Sequence, residues 1–170
     1  MIVKDKANLT DAQKIFGPLG VIITCEGQRH LGAVVGTNEF RQAYVNDKIS
    51  KWVEDIEQLA ELAIEEPQAA YSAFTKGILH RWTYVMRTVP GIGPLFEKLE
   101  TAITNKLIPA LVGRPVSPLE RSILELPVRY GGLGIINPTT SSEREYNSSK
   151  MITEPLAALI ASQSSDLRLL

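Results

Sequence analysis

The stretch Thr37–Pro67, TNEFRQAYVNDKISKWVEDIEQLAELAIEEP, decides how the rest of the chain is read. Val45, Ile49, Trp52, Val53, Ile56, Leu59, Ala60 and Ala63 recur every three or four residues and make one apolar stripe. Glu54, Asp55, Glu57, Glu61, Glu65 and Glu66 occupy the remaining faces. That period specifies an amphipathic helix with one buried side. Thr37 or Asn38 is its cap, and it runs to about Glu66. Pro67 suits the first turn of a second helix, which carries Ala70, Tyr71, Phe74, Ile78, Trp82 and Val85 on one side. Pro90-Gly91-Ile92-Gly93-Pro94 breaks that helix. A third follows from Leu95 to about Leu107, with Leu95, Leu99, Ala102 and Ile103 inward, until Pro109 kinks or ends it. Helices joined by short turns pack as antiparallel neighbours in a bundle.

Toward the N-terminus, Asn8 to Phe16 is expected as a short helix, with Thr10 and Gln13 at capping-box spacing and Gly17-Pro18-Leu19-Gly20 as its stop. Val21 to Cys25 is β-branched and short, as a strand should be. Glu26-Gly27-Gln28 is expected as the turn and Arg29 to Gly36 as the return strand, so that the two form a β-hairpin. Gly32 and Gly36 within the return strand suggest a bulge or a close backbone approach. Toward the C-terminus, Ser117 is placed to cap a short helix over Leu119 to Leu124. Pro127 to Gly134 makes a loop, and Ser141 or Ser142 opens a last, more polar helix toward Ile160. The tail from Ser162 to Leu170 is expected to fray. The fold class expected is therefore mainly α: a helical bundle with an N-terminal β-hairpin and a C-terminal helical extension. The divisions fall at residues 1–36, 37–112 and 113–170.

A chain of 170 residues can bury a proper core, roughly 70% of its unfolded surface at this size. With 44% apolar and 22% charged residues it is expected to be an ordinary globular protein rather than a disordered one. A net charge of −1 provides no global basic field, so any nucleic-acid contact must come from a local patch. Cys25 is the only cysteine, which excludes a disulfide within the chain, and with His30 and His80 as the only histidines a zinc site is not expected. The opening Met1-Ile2-Val3-Lys4-Asp5-Lys6 is too charged for a secretory signal. No apolar run approaches the ~18 residues of a membrane span. An intracellular location, cytoplasm or nucleus, is expected, with no membrane partner.

Two-metal phosphoryl chemistry needs carboxylates that hold ions about 4 Å apart. The aspartates Asp5, Asp11, Asp47, Asp55 and Asp166 include no adjacent pair, and the acidic side chains between 47 and 66 suit a solvated face. Gly131-Gly132-Leu133-Gly134 resembles a phosphate cradle only superficially. Ile135-Ile136-Asn137-Pro138 follows where a P-loop would have Gly-Lys-Ser/Thr, so a structural turn is expected. Cys25 lies among apolar neighbours with no base nearby, and His80 is expected on a solvated helix face. One basic patch stands out. Lys76, His80, Arg81 and Arg87, with Tyr84 interleaved, recur at roughly helical spacing and suit a phosphate backbone. A generic solvated face is the competing reading.

Two motifs carry a resemblance. Arg29-His30-Leu31-Gly32-Ala33-Val34-Val35-Gly36 is similar to the "(Y/H)LG" primer-grip hairpin of eukaryotic retrotransposon reverse transcriptases. Leu126-Pro127-Val128-Arg129-Tyr130-Gly131-Gly132-Leu133-Gly134-Ile135-Ile136-Asn137-Pro138 looks like the "LP…GGLG(I/L)…P" signature that follows the thumb in that family. The resemblance covers residues 2 to about 160. It implies that Ile2-Val3-Lys4 and the first helix correspond to the end of the palm, and that Phe40 to Leu107 form a thumb-like bundle. Leu31 and Gly32 would shape the primer grip. Lys76, Arg81 and Arg87 would be thumb contacts to primer–template, an assignment that rests on their spacing and not on a family motif. The family's catalytic Asp-Asp motif is missing from this sequence, so the chain is expected to be inactive alone, a truncated polymerase fragment that needs no cofactor. Mg²⁺ belongs to the parent polymerase only. The alternative expectation is a repurposed helical module that meets a protein partner through exposed apolar surface.

Overall fold

The computed structural model describes residues 1–163, and the fold is mainly α with an N-terminal β-hairpin. Of the expected frayed tail, residues 164–170 lie outside the described part. The Thr37 hydroxyl accepts a hydrogen bond from the Phe40 N–H at 3.2 Å and opens the long helix α2, Asn38–Glu65. Val45, Ile49, Trp52, Ile56, Leu59, Ala60 and Ala63 are buried along it as one seam. Pro67 starts α3, Pro67–Lys76, directly after a single non-helical residue. The core over α2 is aromatic. Trp52 stacks on Phe96 with ring centroids 6.2 Å apart, and Trp82 lies against both Trp52 and Phe74. Such pairs add about 0.5–1.5 kcal/mol each beyond the area they bury.

Several expectations need correcting. The hairpin is present, but one element later than expected. Its strands are β1, Gly27–His30, and β2, Ala33–Gly36, and the turn is Leu31-Gly32 rather than Glu26-Gly27-Gln28. A two-residue hairpin turn of type I′ needs positive φ at both central residues, and these have φ 48° and 82°. Gly27 and Gly36 instead pair across the base of the hairpin. A Cβ on Gly36 would sit 2.3 Å from the Glu26 carbonyl oxygen, so here the close backbone approach expected of the glycines is real. Val21 to Cys25 contributes only a parallel bridge, Ile2 to Thr24. In the first helix, α1, Leu9–Phe16, Thr10 already lies inside, and a 3₁₀ turn capped by Asp5 leads in from Lys6 to Asn8.

The second helix does not reach Val85. It breaks at Gly77, passes through a 3₁₀ turn at Ile78–His80, and resumes as α4, Thr83–Thr88. The third begins with a 3₁₀ turn, becomes α5, Glu97–Ala102, and then widens into a π-turn over Ile103–Leu107. Helical geometry continues beyond Pro109 as α6, Ile108–Val112. Proline has no N–H to return to the preceding turn, and the inserted π residue absorbs that mismatch just before it. Gly113, with φ 74°, closes the helix.

Ser117 caps α7, Pro118–Glu125, in a full capping box with Glu120. The hydrogen bond from Arg114, followed by those from Ser117, holds the Glu120 carboxyl down to about 2. The last helix, α8, Pro138–Ala161, starts earlier than expected because Asn137 caps it, accepting from the N–H groups of Thr139 and Thr140. Ser141 and Ser142 are buried, as small residues where α8 packs on α4 and on the turn at Gly93–Phe96.

The Gly-rich loop is a clasp. The Leu124 carbonyl accepts from the N–H groups of both Leu133 and Ile135 at 3.1 Å, and Gly134 N–H donates to Leu126 O at 2.8 Å. Gly131 and Gly132 donate to Val128 and Pro127. All four loop N–H groups are thus bonded within the loop and α7, which leaves none to cradle a phosphate. Tyr71 Oη donates to Leu133 O at 2.7 Å from α3, and Ile135 is fully buried in the core.

Candidate nucleic-acid interface

The hairpin turn is the most exposed apolar feature at this end of the molecule, with Leu31 83% exposed. Leu31 has φ 48°, a conformation that costs an L residue roughly 1–2 kcal/mol. Two tyrosines hold it there. Tyr44 Oη, from α2, donates to Gly32 O at 2.7 Å, and Tyr84 Oη, from α4, donates to Leu31 O at 2.8 Å. A Cβ on Gly32 would already be 3.5 Å from the Tyr84 ring. The two turn carbonyls are therefore fixed by tyrosines forty residues apart in the sequence, on two different helices, and the Leu31 side chain is presented outward.

Of the sequence-predicted residues, Leu31 and Gly32 fall together at this turn. The predicted basic patch does not lie on one continuous helix. The break at Gly77 separates Lys76, at the end of α3, from Arg81 and Arg87. Arg81 pairs with Asp55 of α2, and Arg87 Nε lies 2.9 Å from Glu145 Oε2 of α8. Both guanidinium groups are half exposed and partly neutralised by protein carboxylates, which reduces their value to a phosphate. Lys76 is exposed and forms no ion pair among the described residues. Tyr84, interleaved among those cations in the sequence, braces the hairpin through its hydroxyl.

Sequence reasoning missed a second basic group. The guanidinium carbon of Arg29 lies 5.3 Å from the centroid of the Tyr44 ring, and Lys48 Nζ lies 5.8 Å from it. Both distances are within the range of cation–π attraction. Tyr44 and Lys48 are one helical turn apart on α2, and Arg29 lies on β1 two residues before the turn. That i, i+4 spacing was a visible signal, but only the corrected hairpin register brings Arg29 to it. Asp47 nearby is held below the ordinary carboxylate range, first by the hydrogen bond from Lys51, with the fields of Lys51, Lys48 and Arg29 adding to it. Among the described residues no group of three His, Cys, Asp or Glu side chains is placed to hold a metal ion, and no helix is long and apolar enough to cross a membrane.

Compared with protein-family models, with curated proteins and with solved structures, the chain has no match.

Leu31 provides a prediction that separates strain from use. Leu31→Asn should stabilise the fold, because asparagine tolerates the left-handed conformation, by about 0.5–1 kcal/mol in chemical denaturation. The same change should weaken nucleic-acid binding by removing the apolar tip. A variant both less stable and equally good at binding would contradict the assignment.

Proposed function

We propose that this chain is the thumb and primer-grip portion of a retroelement reverse transcriptase, which contacts primer–template and performs no polymerisation chemistry of its own. The observation that carries this reading is the hairpin turn. An exposed Leu31 occupies a turn position that requires positive φ, and two separate tyrosine hydroxyls anchor the carbonyls of that turn; backbone strain kept at an exposed apolar tip is characteristic of functional sites. The order of elements adds support: hairpin, helical bundle and Gly-Gly-Leu-Gly clasp follow one another as in the reverse transcriptases this sequence resembles. Polymerisation would require carboxylates contributed from elsewhere. A filter-binding titration with labelled primer–template at two salt concentrations tests the reading. Salt-sensitive binding is expected, since each phosphate neutralised releases counterions. No binding at low salt would sink it.

A second reading, a helical module for a protein partner, has its own observation. Leu119, Val128 and Tyr130 are exposed on α7 and the following loop, beside the partly exposed Ile123 and Leu126. Light scattering that gave a stable oligomer, together with absent nucleic-acid binding, would favour it.

A further inference from the structure

We propose that Arg29 and Lys48, held 5.3 and 5.8 Å from the Tyr44 ring centroid, form a phosphodiester-binding site beside the Leu31-Gly32 turn. This inference rests on the nucleic-acid reading above but names a different set of cations from the one the sequence suggested. The distinction is electrostatic. Arg81 and Arg87 each have a carboxylate partner, whereas Arg29 and Lys48 are in no ion pair among the described residues. What they share is an aromatic face, which attracts a cation without neutralising its charge. Neither is engaged by a carboxylate at ion-pair distance, so the hydrogen-bond donors of both remain available to an anion. Lys51 adds a third cation one turn further along α2, and Asp47, its partner, subtracts one charge. The cluster of Arg29, Lys48, Lys51 and Asp47 is thus +3 − 1 = +2 in a chain whose overall charge is −1.

Rigidity supports the same site. Tyr44 uses its ring for the two cations and its hydroxyl for Gly32 O, so one side chain ties the cationic pair to the turn. The ring edge, the two donors and the apolar Leu31 tip lie at one end of the hairpin. A sugar–phosphate backbone offers the matching features, since its anionic oxygens suit the cations and its sugar face suits the leucine. Arginine's planar fork matches two phosphate oxygens, and lysine contributes a point charge.

The test compares two double variants of the full chain for primer–template binding over a salt series. Arg29→Gln with Lys48→Gln should lower the slope of log K against log salt by about 1.8, the loss of two phosphate contacts. Arg81→Gln with Arg87→Gln should leave the slope unchanged. Melting temperatures confirm that both variants are folded. An unchanged slope in the Arg29/Lys48 variant would overturn the site while leaving nucleic-acid binding intact. If the native chain does not bind primer–template at all, the reading under Proposed function fails, and a thymidine dinucleotide phosphodiester then decides this inference separately. Shifts of the Tyr44 ring resonances on its addition, abolished in the Arg29/Lys48 variant, support the site. Resonances that stay unmoved in the native chain overturn it.

Discussion

Arg121→Ala is expected to destabilise the protein by about 3–5 kcal/mol, the range for removing one partner of a buried ion pair. Arg121 is the only charged residue buried among the described residues. Its Nε and Nη2 bond to the two carboxylate oxygens of Glu100 at 2.8 and 2.9 Å, and its Nη1 donates to the Ile135 carbonyl at 2.8 Å. Thr104 Oγ1 completes the network, accepting from Nε at 3.1 Å and donating to Glu100 Oε1 at 2.8 Å. One side chain therefore joins α5, the π-turn, α7 and the end of the glycine loop. Alanine would leave a nearly buried carboxylate without its cation and a backbone carbonyl without its donor. Arg121→Lys should recover only part of the loss, because an ammonium cannot span both carboxylate oxygens and the carbonyl. Urea denaturation of the three proteins measures the order. An alanine variant within 1 kcal/mol of the native chain would mean that water enters and solvates Glu100.

The bundle was legible because its signals are local. The α2 stripe, the Thr37 cap, Pro67 at the start of α3 and the Ser117 capping box each lie within a few residues of the structure they specify. The errors fall where a distant partner decides. The hairpin register depends on Gly27 and Gly36 meeting across the base and on Phe40 filling the space a Gly27 side chain would need. None of these constraints lies inside the turn itself, so strand propensity chose the wrong turn. The π-turn before Pro109 is likewise invisible to a 3.6-residue period.

The same division applies to the site. Leu31 and Gly32 were legible because a motif marked them, but the strain at Leu31 and the two hydroxyls that hold it were not. Arg81 and Arg87 were chosen for their spacing, and spacing does not reveal the Asp55 and Glu145 that meet them from other helices. The hairpin turn with Leu31 and Gly32 stays in the candidate interface, and the geometry adds the hairpin end of α2 to it. Arg29 and Lys48 become the cations to watch there, and Lys76 lies at the end of α3, before the Gly77 break.

Gly132→Ala should be the other severe substitution, costing about 3 kcal/mol or more, at the upper end of overpacking effects. The reason is not backbone conformation, since Gly132 has no positive φ. An added Cβ would lie 2.0 Å from Leu126 O and 2.6 Å from Ile123 O. These are backbone atoms at the C-terminal end of α7, and no rotamer change can move them away. The loop would have to lift from the helix, giving up the paired bonds to Leu124 O, the Tyr71 tether at Leu133 and the buried seat of Ile135. Gly131 and Gly134 provide the control. Both have positive φ and open space where a Cβ would go, so alanine at either should cost only about 1 kcal/mol of backbone strain. The expected order in thermal melts therefore runs against a rule based on φ alone: the one glycine of the three with an ordinary φ is the one that cannot be replaced. If all three alanine variants melt alike, the loop does not close over α7 as described, and its motif would need an explanation other than packing.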